Sequence, residues 1–153
     1  MSSTFTVPMR LNTRQTTSND GTLSAENTGA AVISQQAAVV GGAATAIVIP
    51  AGSIIHEIDF YINVVGAASR AISVTVNGTT TSVGSVTTTA LGKVAATFTA
   101  SAAVANLLAN VGAYDATITL ASEAASAGTI SVRYTGRNSD GTITPYGSGL
   151  SNS

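Results

Sequence analysis

The chain is 153 residues long, and charged residues make up only 8% of it, against roughly 25% in an ordinary soluble domain. Six Lys and Arg against seven Asp and Glu leave a net charge of -1, and the cations at Arg10, Arg14, Arg70, Lys93, Arg133 and Arg137 are scattered. No basic patch exists to neutralise a run of phosphates, so nucleic acid is not an expected partner, and the absence of cysteine removes disulfides, thiolate metal sites and a cysteine nucleophile.

This length fits one domain with a real core. A surface with so little charge is neutral and hydroxyl-rich, repels copies of itself weakly, and is expected to be buried in part against other chains. Residues 1–29, an arm rich in polar residues, place Phe5, Val7, Met9 and Leu11 in strict alternation. That spacing suits a strand laid along a neighbouring surface; the competing reading is an untethered terminus. The first 26 residues hold no apolar h-region, so no secretory signal is expected.

The charge-free run from Asn27 to Ile55 raises the question of a membrane span. Ser34, Gln35, Gln36, Thr45, Gly41, Gly42 and Pro50 interrupt it, no cationic cluster flanks it, and no span is expected. Pro50 and Gly52 close this run as a turn. The next stretch, "SIIHEIDFYINVV", alternates, with Ile54, His56, Ile58, Phe60, Ile62 and Val64 assigned to one face and Ile55, Glu57, Asp59, Tyr61 and Asn63 to the other.

Ile72, Val74 and Val76 then lead into Asn77-Gly78, a dipeptide suited to a two-residue type I′ hairpin. That hairpin would set Val76 opposite Thr79, Val74 opposite Thr81 and Ile72 opposite Val83. Val94, Ala96, Phe98 and Ala100 alternate as one further strand, and "AVANLLANVG" predicts a short helix ending at Gly112. Ala116, Ile118 and Leu120, then Ile130, Val132 and Tyr134, form the last inward sets.

Seven or eight short, regularly spaced strands predict an all-β fold. It is an antiparallel, jelly-roll-like β-sandwich over residues 30–135, with an extended N-terminal arm (1–29) and one short helix. The expected core contains Ile58, Phe60, Ile62, Val74, Ile118, Leu120 and Val132. Residues 136–153, rich in Gly and Ser, read as a flexible tail or outer loop.

Candidate chemistry is sparse. His56 is the only histidine, and on a regular strand it points away from Glu57 and Asp59, so the three do not converge. A triad would need a carboxylate such as Asp115 and a serine from other strands, yet no nucleophile-elbow motif occurs. Glu57 and Asp59 share a face and are positioned to share a hard cation, but two carboxylates fall short of an oxygen-rich calcium site, and a solvated strand face is the preferred reading. "NDG" at 19–21 and "NSDG" at 138–141 lack the spacing of calcium loops and read as turns, while "LGKV" at 91–94 lacks the phosphate-loop pattern. Hence no catalytic, cofactor-binding or metal residues are assigned, and no cofactor is expected. With no Trp, four Tyr and three Phe, sugar stacking has little to build on.

"VIPAGSIIHEIDFYINV" and "DATITLASEAASAGTISVRYTG" resemble paired segments of small β-rich virion proteins of tailed bacteriophages, above all head decoration (cement) proteins. A Pro-Ala-Gly turn launches a long strand, and an Asp-led strand is followed by a Gly-led strand finishing in Arg-Tyr. The resemblance implies a non-enzymatic structural protein on the outer capsid surface, displayed in many copies, that clamps neighbouring subunits of the major capsid protein. The expected form is a symmetric homo-oligomer, a trimer before a dimer, with Phe5, Val7, Met9 and Leu11 as contacts. A tail or fibre component and a carbohydrate-binding β-sandwich module are the alternatives.

Overall fold

The computed structural model of the chain describes residues 32–136. Nine strands and one helix occur in the order β1 (Val32–Val39), β2 (Thr45–Ile49), β3 (Ile54–Val64), β4 (Ser69–Val76), β5 (Thr79–Thr87), β6 (Gly92–Ala95), β7 (Thr97–Phe98), α1 (Ala102–Ala109), β8 (Ala116–Leu120) and β9 (Ala127–Thr135). They build a four-stranded sheet, β1-β9-β3-β6, and a five-stranded sheet, β2-β8-β4-β5-β7. Every pairing is antiparallel. Consecutive strands repeatedly cross between the sheets, as in a jelly roll with its interleaved Greek keys. The expected all-β, jelly-roll-like sandwich is therefore the observed fold. The arm, with Phe5, Val7, Met9 and Leu11, and all but Gly136 of the predicted tail lie outside the described residues.

β-branched residues at alternate positions drive this arrangement, because they pack well on a pleated, half-buried surface. The core lies between the sheets. Ile58, Phe60, Ile62, Val74, Ile118, Leu120 and Val132 are all buried there, joined by Ile49, Ile72, Val83, Val86, Ile130 and Tyr134. At the Asn77-Gly78 hairpin both central residues have positive φ, 46° and 77°, which Gly adopts without the steric cost other residues meet.

Four details depart from simple alternation. A register shift between Ile55 and Glu57 inserts His56 as an extra residue opposite β9. The phase before this bulge is inverted, so Ile55, not Ile54, is buried with Ile58, and His56 is exposed instead of sharing their face. A second shift, between Ile62 and Val64, leaves Val64 exposed on the surface. A third, at Ile72, places Gly84 opposite that residue in place of the expected Val83, although Val83 stays buried.

The fourth departure concerns residues 94–100, which are not one strand. β6 pairs with β3 and β7 with β5, so the chain changes sheets at Ala96, whose amide donates to the Ile58 carbonyl at 2.8 Å. Helix α1 begins where Ser101 Oγ accepts the Val104 amide at 3.2 Å, and it ends at Ala109 with Asn110 as its cap, three residues before the expected Gly112.

Candidate functional site

The charged side chains of β3, β6 and β9 meet on the outward face of the four-stranded sheet. Register sets Glu57 opposite Arg133 and Asp59 opposite Ser131 on β9, while Tyr61 faces Lys93 on β6. Lys93 Nζ reaches diagonally to both carboxylates, 3.2 Å from Glu57 Oε1 and 3.0 Å from Asp59 Oδ2. Arg133 pairs with the other oxygen of Glu57. The ammonium of Lys93 is thus the counter-ion shared by the two acidic residues. Asp59 is only 2% exposed although it points away from the core. Its Oδ1 is buried and has no hydrogen-bond partner among the described residues. The hydrogen bond from Lys93 to Asp59 raises the lysine above its ordinary value, in opposition to the smaller effect of desolvation.

The candidate triad residues go to separate tasks. His56 Nε2 lies 2.7 Å from the hydroxyl of Thr135, and Asp115 Oδ1 accepts the Ala51 amide at 3.0 Å. This second bond fastens the Pro50-Gly52 turn to the segment before β8, together with a 2.7 Å bond from the Gly52 amide to the Gly112 carbonyl. Among the described residues, no three His, Asp or Glu side chains form a metal-binding group.

The opposite surface is chemically different. On the outward side of the five-stranded sheet, one row reads Val48, Thr117, Thr75, Thr80 and the next Ala46, Thr119, Ser73, Ser82. Thr75 and Thr80 hydroxyls meet at 2.8 Å. The only charged residue in these five strands is Arg70, which points inward and is fully buried. This face carries hydroxyl and small apolar groups without charge.

Arg70 belongs to a polar clasp at one end of the sandwich that sequence reading missed. Its guanidinium donates to the carbonyls of Ala121 at 2.6 Å, Ser126 at 3.2 Å and Ala43 at 2.5 Å, and to Ser126 Oγ at 3.1 Å. It also stacks 5.8 Å from the Phe60 ring centroid. Burial pushes its pKa down, and the charge of Glu123 opposes that shift. Glu123 Oε2 accepts from the Ser126 hydroxyl at 2.5 Å, and its Oε1 accepts from the Ala67 and Ala68 amides at 2.7 and 3.1 Å. The Ser126 hydroxyl first, then these amides, hold the carboxyl at about 2 against the opposing effect of desolvation. At Gly66 a Cβ would lie 2.1 Å from Glu123 Oε1, so a side chain there would displace the carboxylate.

Arg70 was legible in principle, since it continues the inward set Ile72, Val74, Val76 by one step of two. Among the described residues no helix is long and apolar enough to cross a membrane. Comparison with protein-family models, curated proteins and solved structures found no match to the chain.

Proposed function

We propose that the protein is a non-enzymatic virion structural protein, a capsid decoration protein that binds the major capsid protein on the outer surface and stabilises neighbouring subunits. It acts as a homo-oligomer, a trimer before a dimer. Many functions use jelly-roll-like sandwiches, viral capsid domains among them, so the reading rests on the surface rather than the fold.

The observation that carries it is the partition between the two outer faces. Charges on the four-stranded sheet are paired with one another, and the five-stranded sheet presents a charge-free hydroxyl face. A neutral face can be desolvated against a partner without stranding an unpaired charge. The segments that resemble decoration proteins supply β3, β8 and β9. Electron microscopy of purified virions tests the proposal. Symmetric density on the outer capsid fitting this sandwich is expected, whereas density confined to the tail would assign the protein to a tail or fibre.

A sugar-binding module is the second reading, because Tyr61 and Tyr114 present exposed rings and lectins also use jelly rolls. Selective retention on a glycan array, lost in Tyr61→Ala or Tyr114→Ala, would favour it over decoration.

A further inference from the structure

An exposed edge strand offers a row of unpaired N–H and C=O groups, and proteins usually blunt such edges with charge, proline, bulges or brevity. Strand β1 has none of these. It runs for eight residues, "VISQQAAV", and pairs with β9 through eight consecutive registers without a shift. Among the described strands β9 is its only sheet partner. The other edges differ: β6 has four residues and carries Lys93, β7 has two, and β2 has five and stops before Pro50. On β1 itself, Gln35 Oε1 is buried and has no donor among the described residues. The longest edge is therefore the unprotected one.

The chain contains a segment with the complementary properties. "FTVPMRL", Phe5 to Leu11, carries the proline and the charge that β1 lacks. In an extended strand, alternate residues share both a side-chain face and the lateral direction of their N–H and C=O groups. If Phe5, Val7, Met9 and Leu11 turn their backbone groups to β1, Thr6, Pro8 and Arg10 turn theirs outward. Pro8 then occupies the one setting a sheet allows it, with its missing N–H directed at solvent. The apolar side chains extend the core face that Ile33, Ala37 and Val39 begin on β1. Pro8 and Arg10 close the new edge to further addition.

We infer that the free edge of β1 receives the Phe5–Leu11 segment of a second copy of this chain as an added parallel strand. The inference rests on the reading of residues 1–29 as an interaction arm, not on the capsid assignment. Twenty residues, 12–31, separate the segment from Val32. Extended, they reach about 66 Å, against a β1 length of about 27 Å. This is more tether than a return along the same strand needs, and enough to reach a neighbour.

Two full-length proline variants test the register of the backbone. Val7→Pro removes an N–H that would face β1, while Thr6→Pro removes one that would face solvent. Hydrogen exchange of those β1 amides that do not donate to β9 is followed with light scattering over a range of concentrations. The expected result is an oligomer in which these amides are protected. Val7→Pro should raise their exchange by about tenfold or more and shift the assembly towards monomer, with Thr6→Pro unchanged. Equal behaviour of both variants, or unprotected β1 amides in the parent chain, would overturn the strand addition. Protection that persists in a monomer would overturn the second-copy assignment. No capsid is present, so failure here is separate from failure of capsid binding, which virion microscopy measures.

Discussion

Among single residues, Phe60 and Glu123 carry the fold in different ways. Phe60 is fully buried between the sheets and lies beneath the Arg70 guanidinium. Phe60→Ala should cost about 3 to 5 kcal/mol through the cavity it leaves, read as a lower midpoint in urea. A midpoint like that of the parent chain would place the ring outside the core. Glu123 acts through its depressed pKa. With the folded carboxyl at about 2 and the ordinary value at 4.5, its contribution is complete above about pH 4.5 and is lost as pH falls toward 2. The melting temperature should decline across that window, and Glu123→Gln should flatten the decline. An undiminished acid slope in Glu123→Gln would show that other carboxylates set it. Lys93 has the opposite sign: its raised pKa stabilises the fold below about pH 10.5 and ceases to do so as pH climbs through the higher folded value.

At the level of elements, turns and strand faces were legible in the sequence, and breaks in register were not. The Asn77-Gly78 hairpin follows from local backbone chemistry, since both positions need positive φ. Gly78→Ala should therefore cost about 1 to 2 kcal/mol, seen as a drop in thermal stability with an unchanged far-ultraviolet spectrum. No loss would mean that the turn can relax to another type. The bulge at His56 is different, because an extra residue in one strand is defined by the partner strand. The adjacent Ile54 and Ile55 are its one local trace, two isoleucines where alternation allows one inward. The crossing at Ala96 is equally silent, as Val94, Ala96 and Phe98 keep their alternation while the chain passes between sheets. Glu123 was hidden for a related reason: Ala67 and Ala68 bind it through backbone amides, which no side-chain pattern records. The pairing of Glu57 and Asp59 on one face was readable from their spacing, but Lys93 comes from β6, 34 residues beyond Asp59.

For the whole molecule, the sandwich separates its chemistry into an ion-paired face and a neutral one, and leaves a long uncharged strand at one edge. Such a body is suited to repeated contact, where weak interfaces gain strength through multiplicity. The arm should add to this. Deleting residues 1–26 is expected to leave the sandwich folded, because its first described strand starts at Val32, and to weaken capsid binding. The proposed clamping of capsid subunits is tested by the temperature at which empty shells of the major capsid protein burst, measured calorimetrically with increasing amounts of the full chain. A saturable rise in bursting temperature, reduced when the chain lacks residues 1–26, is expected; a bursting temperature unmoved by saturating full-length protein would rule that role out.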